Sequence, residues 1–401
     1  MAASILKAKT SFDAMVEEAR EGRVTREIAA TLIRANEGEE LSSLLEAAAH
    51  MRDELKGRFI TYSKKVFIPL TNLCRDYCGY CTFRKDPGQP GAKTMSPDEV
   101  LAVVEAGAQL GCKEALFSLG DRPEALFPEM RAALSRLGHR TTLSYLEEVC
   151  ERVLRETDLL PHPNPGLMGR ADMERLRQSS PSMGLMLESA SDRLTGIGMA
   201  HDNAPDKRPA LRLKTIEEAG RLRIPFTTGI LIGIGETLDE RVDSLFAIRE
   251  IHERYGHVQE VIIQNFRAKP DIPMRDHPEP GLNDHLRTIA VSRLILRDMN
   301  VQAPPNLSDE QYPFLLNAGI NDWGGISPLT RDYINPEKPW PQIDRLAERT
   351  ADAGFELKER LSVYPEFVRR EEFFDERVLS RVRLMADEEG YARTNHNQIE
   401  C

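Results

Sequence analysis

Aromatic residues and long apolar runs are scarce in this chain of 401 residues, and the 53 Lys and Arg residues are outnumbered by 64 Asp and Glu residues. The formal net charge of −11 argues against a nucleic-acid-binding protein, whose contact surface is normally basic. No apolar run approaches the roughly 20 residues that span a bilayer. The first residues, 1–7, also lack the apolar core of a secretory signal. We therefore expect a globular protein with no membrane and no nucleic-acid partner.

Cysteine is also uncommon, but half of it is concentrated in one loop. The chain has six cysteines, and three of them, Cys74, Cys78 and Cys81, follow the spacing C-x-x-x-C-x-x-C. Three clustered cysteines without a signal peptide are a poor pattern for disulfides. This usage favours a reducing compartment, with the cytoplasm as the default.

Three thiolates in one tight loop can hold an iron–sulfur cluster, because thiolate is the soft ligand that the iron of such clusters prefers. A four-iron cluster bound only by protein needs four ligands, and this loop supplies three. The fourth iron would then be open to a small molecule that chelates through amino and carboxylate groups. The alternatives are a structural zinc site and ordinary buried thiols. No histidine that could complete a zinc site lies between Phe59 and Lys113.

Beyond the first 57 residues, which have helical spacing, short apolar runs alternate with helical patterns. Strands are predicted over residues 66–70, 115–119, 159–166, 183–188, 226–235 and 258–265. Such alternation indicates a parallel sheet with right-handed crossovers. We predict an α/β fold, a partial or full TIM-like (β/α) barrel over residues 58–330. An N-terminal helical extension (1–57) and a C-terminal helical extension (331–401) would flank it.

Polar residues or glycines follow each predicted strand, where a barrel of this kind carries its functional groups. Besides the cysteine loop they are Gly120 and Asp121, His162 and Asn164, Glu188, Gly233 and Gly235, and Gln264 and Asn265. This coincidence predicts an enzyme.

The cysteine loop, with an aromatic residue just before its third cysteine, resembles the signature of radical S-adenosylmethionine (radical SAM) enzymes. The resemblance implies a 4Fe–4S cluster on Cys74, Cys78 and Cys81, with S-adenosylmethionine at the fourth iron. It implies a 5′-deoxyadenosyl radical that takes a hydrogen atom from the substrate. The implied cofactor-binding residues are Tyr80, Gly120, Asp121, Glu188, Gly233 and Gly235.

Three longer strings, residues 70–84, 114–124 and 317–328, resemble the CofG-type subunits of 7,8-didemethyl-8-hydroxy-5-deazariboflavin synthase. The resemblance implies that a CofH-type partner enzyme joins the hydroxybenzyl group of tyrosine to a ribityl-aminouracil. A chain of the CofG type then closes the ring and releases ammonia. A reductant protein would supply electrons to the cluster.

The implied substrate requires polar contacts and a group that moves protons. His162 and Asp322 are the catalytic candidates. The substrate-binding candidates are Asn164, Gln264, Asn265 and Trp323. Each also has a structural interpretation: His162 could cap a loop, the amides could brace the sheet, and Trp323 could pack. Residues 322–325 are predicted to form a loop.

Two other functions stay open at this point. Another radical SAM enzyme, of the menaquinone-pathway or biotin-synthase-like type, would fit the cysteine loop equally well. An iron–sulfur electron-transfer protein or a zinc-stabilised binding protein belongs to a different class. Neither of the latter would need polar residues at the end of each strand.

Overall fold

The computed structural model describes residues 2–393, with side chains from residue 11 onward, and has a nearly closed parallel barrel at its centre. The hydrogen-bonded order is β3-β2-β1-β8-β7-β6-β5-β4, and all of these pairs are parallel. The strands are β1 Phe59–Pro69, β2 Glu114–Ser118, β3 Leu160–Asn164, β4 Met183–Gly184, β5 Phe226–Ile232, β6 Val258–Asn265, β7 Asn300–Gln302, β8 Asp322–Ile326 and β9 Glu356–Arg360. The predicted α/β barrel is confirmed.

Helices surround the barrel, and several of them begin at a capping residue. Ser96 and Glu99 form a capping box at the start of one helix, and Thr237 and Glu240 do so at another. The helices are α1 Ala2–Arg20, α2 Arg26–Leu32, α3 Glu39–Lys56, α4 Pro97–Gln109, α5 Pro128–Arg136, α6 Thr142–Glu156, α7 Arg170–Leu176, α8 Pro209–Arg221, α9 Leu238–Tyr255, α10 Leu282–Leu296, α11 Ile343–Asp352, α12 Pro365–Val368 and α13 Glu376–Met385. Within residues 2–393 none of them is long and apolar enough to cross a bilayer.

The predicted elements differ from the structure chiefly in their lengths. Strand β6 begins and ends as predicted, whereas β5 stops at Ile232 because Gly233 turns the chain with φ 88°. Strand β1 begins earlier than predicted, at Phe59, and β4 is only two residues long. The loop predicted over residues 322–325 is wrong, since these residues belong to strand β8.

The C-terminal segment, predicted to be helical, also contributes strand β9. Residues 59–63, the lower half of β1, pair with β9. Residues 65–69, the upper half, pair with β2 along the same edge of β1. Strand β9 therefore lies below β2, at the amino-terminal end of the barrel. The proposed division at residues 57 and 330 stays a prediction, and residues 394–401 lie outside the described part of the chain.

Alternation along β1 separates the packing face from the interior face. Val66 and Ile68 are fully buried in the main hydrophobic core, whereas Lys65 and Phe67 line an internal cavity. The same alternation on β2 and β6 points Glu114 and Glu260 inward, and these inward side chains build the site.

Candidate active site

A cavity of about 330 Å³ extends through the barrel interior, a size typical of small-molecule sites. Its upper part is formed by loops at the carboxyl ends of the strands. We call this part the cysteine end; its residues are Cys74, Cys78, Tyr80, Cys81 and Glu188. Its lower part is charged, and we call it the barrel floor (Lys65, Glu114, His162, Glu260 and Arg360). Phe67, Leu116 and Ile262 line the space between the two ends.

The cysteine loop follows β1 and packs closely against the loop after β2. A Cβ atom on Gly120 would lie 1.9 Å from the Leu73 carbonyl oxygen and 2.7 Å from the Cys74 Cβ, so only glycine fits there. This contact lets the backbone N–H of Asp121 donate to Cys74 Sγ at 3.2 Å, and the N–H of Asp76 donates to the same sulfur at 3.4 Å. Two such donors suit a thiolate sulfur of an iron–sulfur cluster.

The outer side of the cysteine loop is tied to the segment that follows β4. Arg75 Nε lies 2.7 Å from Asp206 Oδ2, and Asp76 Oδ1 accepts the backbone N–H of Asp206 at 3.0 Å. The backbone N–H of Gly79 donates to the Ala200 carbonyl at 2.8 Å. These contacts fix the loop without using the sulfur atoms, which remain directed to the cavity.

The spacing of the sulfur atoms bears on the zinc alternative. A single zinc ion with thiolates at about 2.3 Å would hold three sulfur atoms within about 4 Å of one another. Among residues 2–393, the only three possible Asp, Glu, His or Cys ligand atoms found within 4.8 Å of each other belong to Asp76, Asp121 and Asp206. The three cysteine sulfurs are therefore not all within 4.8 Å of one another in this structure, a wider spacing than three thiolates on one zinc ion would have.

Glu188 lies at the cysteine end in a strained conformation. Its φ of 66° is uncommon for a residue other than glycine, and such residues concentrate at functional sites. Lys207 Nζ donates to its carboxylate at 2.6 Å, and Arg212 lies 4.0 Å away. Burial alone would raise the pKa of Glu188, but the two cations more than offset it and hold the pKa below the ordinary value. The group is therefore an anion.

Tyr80 and Asp121 also line the upper cavity. The Tyr80 hydroxyl is 3.2 Å from His201 Nε2, and the two rings meet edge to face. Asp121 accepts the backbone N–H of Leu167 at 2.9 Å. Burial and the neighbouring Asp206 carboxylate raise the pKa of Asp121 to about 7. Both predicted cofactor residues thus keep polar atoms beside the cysteines.

At the barrel floor, buried charges meet in pairs. Lys65 Nζ donates to Glu114 at 2.7 Å, and Arg360 donates to Glu260 at 3.1 Å. Burial opposes the charge of Glu114, but Lys65 and other nearby cations lower its pKa to about 2. Burial raises the pKa of Glu260, an effect that Arg360 only partly offsets.

His162 belongs to this floor and is not a loop cap. Its Nδ1 lies 2.7 Å from the Ser182 hydroxyl, which in turn donates to the Ser362 carbonyl. Burial lowers the pKa of His162 to about 4, although the Glu114 carboxylate acts in the opposite direction. The ring is therefore neutral near pH 7 and can accept a proton.

The three amides predicted to bind substrate all line the cavity. Within the described residues, the side chains of Asn164 and Gln264 make no hydrogen bond that would occupy them. Asn265 donates through Nδ2 to the Leu307 carbonyl at 3.0 Å, while its buried Oδ1 has no partner. The structure thus brings these amides together with unused donors and acceptors.

Two predicted site residues on β8 have other roles. Asp322 is fully buried, does not line the cavity, and binds Arg360 through Nε at 2.6 Å and through Nη2 at 3.0 Å. The Trp323 ring is also fully buried; it donates to Thr350 at 3.1 Å and meets Tyr312 edge to face. Asp322 therefore orients Arg360 and does not face the cavity. Trp323 is one of the cavity-lining residues, but its ring contacts Tyr312 and Thr350, so packing accounts for its burial and its contact with substrate stays a prediction.

Gly233 and Gly235 form the turn from β5 to α9. Their φ angles of 88° and 99° favour glycine, and the Gly233 N–H donates to Glu236 at 2.8 Å. The cavity lining on β5 includes Leu231 but neither glycine. The geometry accounts for both as turn residues, and their contact with the cofactor stays a prediction.

Comparison with known proteins agrees with this site. The model of the radical SAM superfamily matches residues 68–248. A protein of Methanopyrus kandleri named 7,8-didemethyl-8-hydroxy-5-deazariboflavin synthase is 52% identical over 334 residues, which are 83% of this chain and all of that protein. The chain belongs to this radical SAM synthase family. Its cofactors are accordingly a 4Fe–4S cluster and S-adenosylmethionine.

Other family members are longer. A Streptomyces avermitilis protein named FO synthase is 54% identical over 371 residues, or 90% of this chain and 43% of that protein. A Mycobacterium tuberculosis FO synthase is 49% identical over 93% of this chain and 46% of its own length. This chain therefore spans somewhat less than half of these longer synthases.

Solved structures with lower identity share the fold. The hydrogenase maturase HydG of Carboxydothermus hydrogenoformans aligns with a TM-score of 0.71 at 21% identity, over 92% of this chain and 82% of its own. Methylornithine synthase PylB aligns with a TM-score of 0.66 at 19% identity, over 86% and 97%. These similarities support the barrel architecture alone.

The cysteine end suits the cofactors of this synthase family. Burial raises the pKa of the Cys78 thiol to about 12, so an uncoordinated sulfur there would stay protonated, and a metal is needed to hold it as thiolate.

The sequence pattern did not identify Lys207, Arg212 or the charged strand residues of the barrel floor as site residues. The floor could have been found from ionisable residues inside otherwise apolar strands, such as Glu260.

Proposed function

We propose that this chain converts the 4-hydroxybenzyl adduct of a ribityl-aminouracil into 7,8-didemethyl-8-hydroxy-5-deazariboflavin and releases ammonia. The main support is one cavity that connects three loop cysteines to a polar interior. The Methanopyrus relative, which is matched over its whole length, is named as the synthase of that product. A plain electron-transfer protein or binding module would not need such an interior.

In this proposal Cys74, Cys78 and Cys81 hold the cluster. When bound, the cluster and S-adenosylmethionine would supply an adenosyl radical that takes one hydrogen atom from the benzylic carbon of the substrate. Ring closure with loss of ammonia is a net two-electron oxidation, so the substrate must also give up one proton and one further electron, which the cluster or its redox protein would accept. Tyr80, Gly120, Asp121 and Glu188 surround the place of the nucleotide. Loops around the nucleotide would have to exclude water and oxygen from the reacting carbon.

The chain's polar side chains then handle the substrate. The amides of Asn164, Gln264 and Asn265, at the carboxyl ends of β3 and β6, offer donors and acceptors together, which suits a substrate with hydroxyl and amino groups. His162, uncharged because burial lowers its pKa to about 4, is the candidate for proton transfer during ring closure, and a negative charge developing on the substrate beside it would strengthen it as a base. Asp322 has no part in this proposal.

Two partners complete the proposal. A CofH-type enzyme would make the adduct, and the remaining part of the longer synthases is a natural place for that activity. A reductant protein would supply the electron. An oxygen-labile cluster would suit a reducing compartment such as the cytoplasm.

The test is anaerobic reconstitution with iron and sulfide, followed by S-adenosylmethionine, dithionite and the product of a CofH-type enzyme. We expect 5′-deoxyadenosine and a fluorescent deazaflavin in matching amounts. Absence of 5′-deoxyadenosine would reject radical chemistry altogether. Formation of 5′-deoxyadenosine with no deazaflavin would favour another radical SAM reaction, of the menaquinone-pathway or biotin-synthase-like type.

A further inference from the structure

The barrel floor is an unusual interior for a fold of this kind. The centre of a (β/α) barrel is normally filled by branched aliphatic side chains. Here Lys65, Glu114, Glu260 and Arg360 are all less than a tenth exposed, and each lines the cavity. Burying charges is costly even when they are paired, so stability alone does not explain this choice.

Neighbouring glycines keep space for two polar side chains near the floor. A Cβ on Gly325 would lie 2.1 Å from Lys65 Cε, and one on Gly324 would lie 2.3 Å from Gln302 Nε2. The absence of side chains at Gly324 and Gly325 of β8 therefore leaves room for the side chains of Gln302 and Lys65. Any larger residue at position 325 would displace the lysine.

The floor also has hydrogen-bonding capacity that the described residues do not use. The Lys65 ammonium has three N–H donors, and within residues 2–393 its hydrogen bond goes to Glu114. The buried Gln302 Oε1 has no partner, although Gln302 is only 4% exposed and lines the cavity. Buried polar atoms are normally satisfied, so unsatisfied ones beside a cavity indicate a polar ligand.

The order of the inward side chains gives the ligand an orientation. On β1, β2 and β6, charged residues at the lower level are followed two positions later by Phe67, Leu116 and Ile262. Phe67 stacks on Trp340 at 5.0 Å, and both line the cavity. The cavity is therefore polar at the floor, apolar in the middle and polar again at the cysteine end.

We propose that the barrel floor, with Gln302, binds the uracil and ribityl end of the substrate. This inference rests on the proposed function. The hydroxybenzyl group then extends from the floor between the apolar walls toward the cysteine end. Lys65 donates to a ring carbonyl or a ribityl hydroxyl, and Gln302 Oε1 accepts from an N–H or O–H of the same end.

The test measures binding of the deazaflavin product, which keeps the same ring and ribityl groups. The reconstituted enzyme is dialysed to equilibrium against 7,8-didemethyl-8-hydroxy-5-deazariboflavin, and the bound fraction is read from its fluorescence. Lys65→Met would leave Glu114 unpaired, so the variants are the double change Lys65→Met with Glu114→Gln, and Gln302→Met alone. We expect Kd to rise about tenfold in each, because each loses a buried hydrogen bond. Lys64→Met, on the opposite face of β1, is the matched control and should bind normally.

The outcomes separate this inference from the proposed function. Unchanged Kd in both floor variants, from an enzyme that makes deazaflavin, would overturn the inference and leave the function standing. An enzyme that makes 5′-deoxyadenosine but neither makes nor binds deazaflavin would overturn both. Weaker deazaflavin binding with unchanged S-adenosylmethionine binding would support the floor as the substrate's site.

Discussion

The cysteine end of the cavity presents its functional side chains from loops, whereas the barrel floor presents them from the interiors of strands. Cys74 and Cys78 follow β1, and backbone and side-chain hydrogen bonds hold their loop, two of which end on Cys74 Sγ. Lys65 and Glu260 lie within β1 and β6, and each is paired with another buried charge. A change at the upper end should therefore remove chemistry and spare the fold, while a change at the floor should affect both.

The largest expected effect is at the cysteine end. Cys78→Ala should abolish cluster absorbance and 5′-deoxyadenosine formation, because the cluster loses one of its three protein ligands. The thermal unfolding of the apoprotein should change little. Cys112→Ala, which removes a buried cysteine elsewhere, is the control and should keep both signals. A Cys78→Ala chain with a normal cluster and turnover would contradict the ligand assignment.

Arg360→Met should have the largest effect on stability. Arg360 binds both Asp322 and Glu260, and its removal leaves two buried carboxylates without their cation. Breaking such a buried pair costs about 3–5 kcal/mol of unfolding free energy, to be measured by denaturant titration of the apoprotein. Adding Asp322→Asn should restore part of the loss.

A surface ion pair provides the control for that experiment. Arg345 lies 2.5 Å from Glu310, but both side chains are at least half exposed. Arg345→Met should therefore cost less than about 1 kcal/mol. Equal losses from Arg345→Met and Arg360→Met would mean that the floor charges are no more important to the fold than surface charges.

The same contrast explains what could be predicted from the sequence. The cysteine spacing and the alternation of strands and helices are local patterns, so the barrel and its upper end could be derived from them. The floor depends on pairings such as Glu260 with Arg360, which are 100 residues apart. Strand register, which brings these residues together, is not visible in one sequence. Asp322 was therefore assigned to catalysis, although its partner Arg360 explains its burial.

Glu188→Gln should have an intermediate effect confined to the upper end. The change removes the anion that faces Lys207 and Arg212 and keeps the side-chain volume. We expect S-adenosylmethionine to bind about tenfold more weakly in equilibrium dialysis, which corresponds to about 1.4 kcal/mol. Glu240→Gln, which breaks the more exposed pair with Arg193, is the control. An unchanged binding curve for Glu188→Gln would remove Glu188 from the nucleotide site.

The smallest expected effects distinguish the two tryptophans of the chain. Trp323→Phe loses the hydrogen bond to Thr350 and some packing volume, which should cost about 1–2 kcal/mol of stability and leave KM unchanged. Trp340 stacks on Phe67 at the cavity wall, and its Nε1 has no partner among the described residues. Trp340→Phe should therefore preserve stability and raise the KM for the adduct. If Trp323→Phe raised KM instead, the ring would have to contact substrate, and the separation between barrel packing and cavity wall would be wrong.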